Sequence, residues 1–507
     1  MLRLFGGTVR TLDPARPAAS GVTVAGGRVV ALDDAGGDAP ALDLGGRCVV
    51  PGLADAHTHF ATWAVGLGQV RLEDCHSRDA AVAKIAEVAA RMPPGRWLRG
   101  LGWRDADWAE PPDREALDAA VGDVPVGLMA RDYHSLWLSS AGLAHAGGDL
   151  HVPGGVVEVG ADGAPSGILR EDAAWRFRDR YLKPTHDEML DAMREALPIA
   201  AARGVTAIHD KDGWLGILPI WQALREEAEL PFRVWQSLPH HKVDELLDLG
   251  IRSGFGDDRL RLGYLKAFMD GTLGSHTARM LDGSGVEITS GEALEAIVRR
   301  SARAGFPVAV HAIGDRANRE ALDAFEATRE LWAPLGLRPR IEHAQVLDAA
   351  DVGRFASIGV AASVQFSHAP SDRELADDYW GDRAGLAYAW RALADSGAVL
   401  ANGSDAPVEE LDPLLGLRAG VARTLDDRPP WRPEQGLDAE RALRAICEGP
   451  AWLSHDEHRR GRLAPGFDAD LVVLDRDPLA CPVEELADLR VEATMVAGEW
   501  THPGVFG

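Results

Sequence analysis

Two histidines separated by one residue, in Asp55-Ala56-His57-Thr58-His59, are the first candidates for catalytic chemistry in this sequence. In an extended chain alternate side chains point to the same side, so both imidazoles face one region. Two nitrogen ligands placed in this way can bind one metal ion. Because the chain contains 17 histidines, the pair alone is a weak signal. Its position directly after the apolar run VVPGLAD, where a strand should end, strengthens it.

Four further candidates lie near the ends of later apolar runs: Lys266 in LRLGYLKAFMDG, His311 in PVAVHAIGD, His343 in RIEHAQ and Asp405 in LANGSDAP. Neutral imidazole and carboxylate bind Zn²⁺ and similar first-row ions well, whereas an ammonium group does not. Lys266 needs its own explanation, because only five of the 53 basic residues are lysines. It either pairs with an acid such as Asp270 or carries a carbamate derived from CO₂, an anion that can bridge two ions.

The elements that must position these residues are short strands alternating with helix-period segments, the pattern of βαβ units and a parallel sheet. Strands are predicted at 48–55, 205–208, 232–237, 260–269, 307–310, 338–342, 359–365 and 398–403. Predicted helices before several of them, at 187–203, 292–304 and 383–396, end at glycine. Eight parallel strands predict an α/β fold, a (β/α)₈ TIM barrel, whose active site is assembled at the C-terminal ends of the strands.

Both ends of the chain alternate short apolar runs with Gly and Asp turns, which is typical of antiparallel strands. We expect residues 1–50 and 460–507 to form one small discontinuous β-sandwich domain, because neither segment has enough strands to fold alone. The barrel then spans 51–459. Residues 60–184, between the first and second barrel strands, are too many for a βα loop and predict an inserted subdomain over the active site.

With these motifs the sequence resembles the amidohydrolase superfamily, and more narrowly its amidohydrolase-3, YtcJ-like branch, which includes N-substituted formamide deformylase. The resemblance runs through nearly the whole chain in the family's order: PGLADAHTHF, KAFMDGTLGSHTA, HAIGDRA, IEHAQ, GSDAPVEELDP and GFDADLVVLD. Each motif is modest alone, and together they are highly specific. One departure lies in the predicted insert, where Tyr133 replaces the glycine of the family's Asp-Gly-His segment.

The resemblance implies a metal-dependent amidohydrolase that cleaves a non-peptide amide-type C–N bond, such as that of an N-substituted formamide. The implied metal ligands are His57 and His59 for one ion, His311 and His343 for a second, the carbamate of Lys266 as a bridge between them, and Asp405, which also shuttles protons. The cofactor is then one or two divalent ions per chain, with zinc expected before manganese or iron. Such an ion lowers the pKa of its water to about 7, so that hydroxide is available to attack the carbonyl at neutral pH.

Substrate contacts are expected from histidines near the strand ends and from aromatic groups in the insert, which suit an amide with an apolar substituent. The candidates are Trp103, His134, His276 and His368. For each histidine taken singly, a hydrogen-bonded loop position is the plainer interpretation.

The net charge of −25 disfavours nucleic acid and anionic membranes as partners, because both would repel such a surface. We expect a small-molecule amide substrate instead. The sequence shows no signal-peptide-like start and no run of about 18 apolar residues, so a cytoplasmic location is expected. Related folds are often dimers or larger, which makes a homodimer one expected state.

Two other functions fit parts of the same pattern. A mononuclear deaminase of an aromatic ring also uses an HxH pair, two later histidines and an aspartate, but it has no need of a carbamate-ready Lys266. A non-catalytic scaffold that keeps the fold would have lost its metals, whereas the ligand set here is intact.

Metal content separates these three functions. After saturation with Zn²⁺ and removal of the excess, we expect about two ions per chain by plasma mass spectrometry, because a bridging Lys266 serves a pair of ions. A content near one ion per chain would favour the deaminase, and the absence of bound metal would favour the scaffold.

Overall fold

The computed structural model describes residues 1–33, 40–93, 95–103, 108–130, 135–152, 155–160, 162–274 and 276–506. They form two compact units, Met1–Trp63 with Met193–Gly507, and Ala64–Ala192. Within the described part of the chain, no helix is both long enough and apolar enough to cross a membrane.

The secondary structure of the described residues comprises 22 strands and 16 α-helices. The strands are β1 (Leu2–Arg10), β2 (Ala18–Ala25), β3 (Arg28–Leu32), β4 (Ala41–Asp43), β5 (Cys48–Pro51), β6 (Leu53–Thr58), β7 (Val70–Arg71), β8 (Leu98–Trp103), β9 (Val126–Ala130), β10 (Ser135–Leu138), β11 (Gly155–Val159), β12 (Pro165–Glu171), β13 (Val205–Asp210), β14 (Arg233–Pro239), β15 (Leu260–Phe268), β16 (Val308–Ala312), β17 (Arg340–His343), β18 (Ala361–Val364), β19 (Leu400–Asn402), β20 (Leu471–Leu474), β21 (Val491–Val496) and β22 (Glu499–His502). The helices are α1 (Phe60–Leu67), α2 (Arg78–Ala89), α3 (Arg114–Val121), α4 (Ser140–Ala144), α5 (Asp172–Phe177), α6 (His186–Ala202), α7 (Leu218–Glu227), α8 (Val243–Leu249), α9 (Gly291–Arg303), α10 (Asp315–Ala327), α11 (Arg329–Trp332), α12 (Ala349–Ile358), α13 (His368–Trp380), α14 (Trp390–Asp395), α15 (Pro413–Ala422) and α16 (Ala439–Leu453).

Eight parallel strands form the central sheet of the larger unit, in the order β6-β13-β14-β15-β16-β17-β18-β19. Each barrel strand pairs in parallel with the next barrel strand along the chain, for example with His311 of β16 opposite Glu342 of β17. The first and last strands are joined beyond β19, where the N–H of Asp405 donates to the carbonyl of His57 at 2.7 Å. The predicted fold class, a TIM barrel with additional sheets, is therefore confirmed.

The barrel strands are buried on both faces, as parallel strands covered by helices must be. Every residue of β6, β16, β17 and β18 is buried. Side chains two positions apart share a face, so Ala309 lies on the same side of β16 as His311, and Tyr264 on the same side of β15 as Lys266. Ala309 and Tyr264 belong to one apolar cluster. An apolar cluster therefore lies inside the barrel, together with buried charged residues such as Arg340 and Glu342.

The two ends of the chain share one sheet, ordered β22-β21-β20-β5-β1-β2-β3, with β4 beside β1. Strand β5 from the first segment pairs antiparallel with β20 from the last, from Cys48 opposite Leu474 to Pro51 opposite Leu471. The sheet has an apolar cluster of its own, which includes Val49 and Val473.

The first predicted barrel strand, 48–55, is wrong in its bounds because the structure divides it between two sheets. Residues Cys48–Pro51 belong to the terminal sheet, and the barrel strand runs from Leu53 to Thr58. Gly52 separates them at a close approach, where a Cβ atom would lie 2.3 Å from the hydroxyl oxygen of Thr206.

The predicted helix 383–396 is also wrong, because two shorter segments replace it. Residues Gly381–Leu386 form a 3₁₀ helix, and only Trp390–Asp395 is α-helical. Tyr388 between them has a φ of 52°, outside the right-handed helical region. Its buried phenol donates to Asp372 at 2.5 Å, so tertiary contacts outweigh the helical periodicity here.

The smaller unit, Ala64–Ala192, contains a six-stranded sheet in the order β11-β12-β10-β9-β8-β7. Three tryptophans of its core, Trp103, Trp108 and Trp137, have ring centroids 6.0 to 6.3 Å apart. In sequence the unit follows the first barrel strand, which is where the insert 60–184 was predicted. The placement of that insert over the active site stays a prediction.

Buried ion pairs connect the barrel with the terminal sheet. Arg233, at the start of β14, donates to both carboxylate oxygens of Asp470 (2.7 and 2.9 Å) and to Asp258. Arg460 donates to Asp468 at 2.9 Å and also to Asp258. Burial raises the pKa of Asp258, but Arg233 and Arg460 outweigh burial and lower it to about 2. Burial is likewise outweighed by Arg233 at Asp470, whose pKa is lowered.

We predict that Arg233→Ala lowers the free energy of unfolding by about 3–5 kcal/mol at neutral pH, because Asp470 loses its buried partner. Both carboxyl groups have depressed pKa values in the folded chain, so their stabilisation is complete above about pH 4 and declines toward pH 2. Urea unfolding at a series of pH values should show that the difference in free energy of unfolding between parent and variant becomes smaller as the pH falls. The surface control Arg316→Ala should cost less than about 1 kcal/mol. This role would be contradicted if Arg233→Ala lowered the free energy of unfolding as little as the control does, or if its difference from the parent increased in acid.

Candidate active site

Three side chains from the strands that close the barrel converge on one region. The Nε2 atoms of His57 and His59 lie 3.3 and 3.4 Å from the same carboxylate oxygen, Oδ1 of Asp405. Asp405 follows β19 with a φ of 58°, a backbone conformation that is uncommon for residues other than glycine and that recurs at functional sites. These three ligand atoms are close enough together to contact one ion.

The outer nitrogen of each of these two rings is occupied by a buried carboxylate. The Nδ1 of His57 donates to Glu342 Oε2, and the Nδ1 of His59 donates to Asp212 Oδ1, both at 2.8 Å. A neutral imidazole carries one proton, so placing it on Nδ1 leaves the Nε2 lone pair facing Asp405. Carboxylate–histidine pairs of this kind fix the tautomer and the orientation of metal-binding histidines.

Two further histidines also have acceptors on their outer nitrogens. The Nδ1 of His343 donates to Gln365 Oε1 at 2.8 Å, and the Nε2 of His311 donates to the carbonyl of Gly271 at 2.9 Å. The ring centroids of His343 and His311 are 4.5 Å apart, and that of His343 is 4.9 Å from that of His57. The four histidines predicted as ligands therefore form one cluster, and each has one ring nitrogen hydrogen-bonded to an acceptor.

Burial and the neighbouring carboxylates together determine the charge of these rings. It lowers the pKa of both His57 and His311 to about 4, which keeps them neutral, the form that binds metal. Burial also lowers the pKa of His59, but Asp212 and Asp405 outweigh it and raise the value to about 10. A cation that binds His59 must therefore displace a proton.

Lys266 lies inside the barrel with its side chain buried. Its Nζ has no hydrogen-bond partner among the described residues and lies 4.9 Å from the ring centroid of Phe268. The carboxylate of Asp270, the alternative partner, instead accepts the backbone N–H groups of Ile313 and Gly314 at 3.0 and 2.8 Å. Burial lowers the pKa of the Lys266 amine. A neutral amine is the form that reacts with CO₂, so this environment is compatible with the predicted carbamate.

Glu342, the carboxylate behind His57, was not predicted from the sequence. Its Oε1 lies 2.9 Å from Nζ of Lys211 and 2.8 Å from Nε of Arg340. Burial raises the pKa of Glu342, but Arg340 and His57 outweigh burial and hold it well below its ordinary value. Two features of the sequence could have indicated Glu342. One is the charged residue within the buried strand RIEH, and the other is Lys211, a second of the few lysines, directly after β13.

Two more unpredicted residues of the site follow β13. Asp212, which holds His59, also accepts the N–H and the hydroxyl of Thr62 at 2.9 and 3.0 Å. Trp214 is 44% exposed, and its ring centroid lies 5.2 Å from that of His59 and 5.8 Å from that of Phe268. No motif spacing in the sequence singles out either residue. The exposed indole is placed to contact an apolar part of a substrate.

The four residues predicted to bind substrate fall in different places. His368 is buried at the start of α13, close to the ligand cluster. His276 is on an exposed loop, where its ring stacks on Tyr379 at a centroid distance of 4.3 Å. His134 lies outside the described residues. Trp103 is 1% exposed and its indole N–H donates to a backbone carbonyl at 2.8 Å, so core packing of the smaller unit accounts for it, and the predicted substrate contact stays a prediction.

The donor set fits a first-row divalent ion. Among the described residues, two groups have all their ligand atoms within 4.8 Å of one another: His57, His59 and Asp405, and His343, His368 and Asp405. Imidazole nitrogen combined with carboxylate oxygen suits Zn²⁺, Mn²⁺ or Fe²⁺, whereas Ca²⁺ prefers oxygen ligands alone.

Similarity to known proteins extends over nearly the whole chain. The profile of the amidohydrolase family matches residues 41–502. The chain is 32% identical to the amidohydrolase-family protein YtcJ of Bacillus subtilis over 90% of this chain and 89% of that protein. It is 28% identical to the N-substituted formamide deformylase of Arthrobacter pascens, with 98% and 97% of the two chains covered. Among solved structures, an uncharacterized metal-dependent hydrolase of Pyrococcus horikoshii has 26% identity and a TM-score of 0.79, over 95% of this chain and 99% of that one.

We predict that Asp212→Ala weakens zinc binding by about 10–100-fold, because His59 loses the acceptor that fixes its tautomer. Asp212→Asn keeps an oxygen acceptor and should lose less. Competition with a chelating dye measures these affinities. The control Asp244→Ala removes an exposed carboxylate on α8 and should leave zinc affinity unchanged. Equal zinc affinities for Asp212→Ala and the control would count against the role of Asp212.

Proposed function

We propose that this chain, which belongs to the amidohydrolase family and is a metal-dependent hydrolase, cleaves a non-peptide amide bond between carbon and nitrogen. N-substituted formamides are the first substrate class to test, because a relative that matches almost the whole chain is named for their deformylation. The products are a carboxylic acid, which is formate for a formamide, and an amine.

The observation that carries the proposal is the convergence of His57, His59 and Asp405, with both rings held by acceptors on their outer nitrogens. The four clustered histidines and Asp405 would hold the metal, and the carbamate of Lys266 would bridge a pair of ions. Zinc is the first choice for this donor set, followed by manganese and iron.

When bound, the metal supplies a water of lowered pKa and a Lewis acid for the substrate carbonyl. Proton transfer is the task of Asp405. Burial raises its pKa, but His57, His59 and His343 outweigh burial and hold the pKa well below its ordinary value, so the group is ionised. Its Oδ1 faces His57 and His59, which leaves Oδ2 to accept a proton from the attacking water and return it to the nitrogen of the departing amine. The C–O bond forms and the C–N bond breaks, so that one water molecule is divided between the two products.

Two aromatic side chains beside the ligands support a substrate with an apolar N-substituent. Trp214 lies next to His59, and the ring centroid of Phe268 lies 5.4 Å from that of His311. Aromatic surfaces of this kind bind apolar groups through burial and ring stacking. They would hold the substituent while the amide reaches the ligands.

The test is a hydrolysis screen with the purified protein loaded with Zn²⁺, Mn²⁺ or Fe²⁺. N-substituted formamides, N-acyl amines and cyclic amides are supplied, and the amine and acid products are quantified. We expect turnover that a chelator abolishes and added metal restores. His57→Ala should reduce kcat/KM by at least about 10³-fold, because a metal ligand is lost. The control His502→Ala, on strand β22 of the terminal sheet, should match the parent.

Other results of the screen would replace the proposal. Release of ammonia from an aromatic ring without amide cleavage would identify a deaminase. The absence of turnover with every metal and substrate would favour a scaffold. Activity of His57→Ala equal to that of the parent would show that the reaction takes place elsewhere.

A further inference from the structure

His368 carries a buried polar atom that the structure leaves unused. The residue begins α13 and is only 5% exposed. Its Nε2 lies 3.9 Å from Oδ2 of Asp405, too far for a hydrogen bond, and has no hydrogen-bond partner within the described part of the chain. An unpaired buried polar group is destabilising, so one retained beside a site indicates a ligand.

The outer nitrogen of His368 faces a donor, not an acceptor. The amide nitrogen of Gln345 lies 3.3 Å from Nδ1 of His368 and donates to it. A neutral imidazole that accepts at Nδ1 carries its proton at Nε2. The four ligand histidines show a different pattern, because each has an acceptor against one ring nitrogen. His368 therefore presents an N–H to the site, because a donor and not an acceptor contacts its Nδ1.

We infer that His368 is a catalytic hydrogen-bond donor and not a metal ligand. The inference rests on the proposed function, because the acceptor is the carbonyl oxygen of the amide substrate. As water adds to the carbonyl carbon, this oxygen gains negative charge, and the N–H at Nε2 stabilises that charge. His368 keeps its proton throughout, and no bond to it forms or breaks.

Distance alone would place His368 among the metal ligands, in a group with His343 and Asp405. A ligand has to offer a lone pair, and the contact with Gln345 places a proton there instead. The Nε2 of His368 and the Oδ2 of Asp405 then form a donor and an acceptor 3.9 Å apart. An amide group is complementary to this donor and acceptor, because its oxygen accepts a hydrogen bond and its nitrogen must receive a proton as it leaves.

Two substitutions at this position separate a donor from a ligand. His368→Leu removes the N–H, whereas His368→Gln keeps an N–H donor near the position of Nε2. His502→Gln on β22 is the matched control. Zinc content after saturation is measured for all four proteins by plasma mass spectrometry. The kcat and KM are then measured with the best amide substrate of the parent.

We expect all four proteins to bind zinc with the stoichiometry of the parent. The kcat of His368→Leu should fall by about 10²–10³-fold, the usual loss on removing one oxyanion donor. His368→Gln should stay within about 10-fold of the parent, because it retains a donor. KM should change less than kcat in both variants, since the interaction strengthens as charge develops.

Several results would overturn the inference. Loss of zinc from His368→Leu, with zinc retained by the control, would make His368 a metal ligand. A kcat of His368→Leu equal to that of the parent, or equal losses in the two His368 variants, would exclude a donor role and leave the proposed function in place. If the parent hydrolyses no amide, the proposed function fails, and the donor role fails with it.

Discussion

Each imidazole of the ligand cluster needs a hydrogen-bond acceptor on its outer nitrogen, and inside a barrel that acceptor must itself be buried. Glu342 meets this need for His57, and its charge is paired with those of Arg340 and Lys211. Removal of one partner from a buried charge set costs about 3–5 kcal/mol. The pairing of Glu342 with positive charge is therefore a condition for metal binding by the histidine that it holds.

Closure of the barrel and assembly of the site use the same backbone contacts. The N–H of Asp405 donates to the carbonyl of His57 at 2.7 Å, and the N–H of His59 donates to that of Ala406 at 2.9 Å. Gly403 makes this approach possible, since a Cβ atom there would lie 2.3 Å from the backbone nitrogen of His57. The last strand thus brings its carboxylate to the histidines of the first strand only when the barrel is closed.

The barrel and the clustering of the candidate ligands can be predicted from the sequence, because each candidate lies near the end of a visible apolar run. The acceptors behind them cannot, because Glu342 lies on another strand and Asp212 follows another strand, 285 and 153 residues from the histidines they hold. The predicted bounds of a strand are wrong where one apolar run contributes to two sheets, as in 48–55. In the sequence only Gly52 indicates where that run divides. The residue type of Trp103 suits a pocket and a core equally, and only its burial favours the core.

The most direct test of the metal site is a crystal structure of the zinc-loaded protein with anomalous data collected at the zinc absorption edge. The account predicts an anomalous peak about 2.0–2.2 Å from Nε2 of His57, Nε2 of His59 and Oδ1 of Asp405. Zinc bound through Nε2 of His368, or a strongest peak away from the histidines of β6, would contradict it.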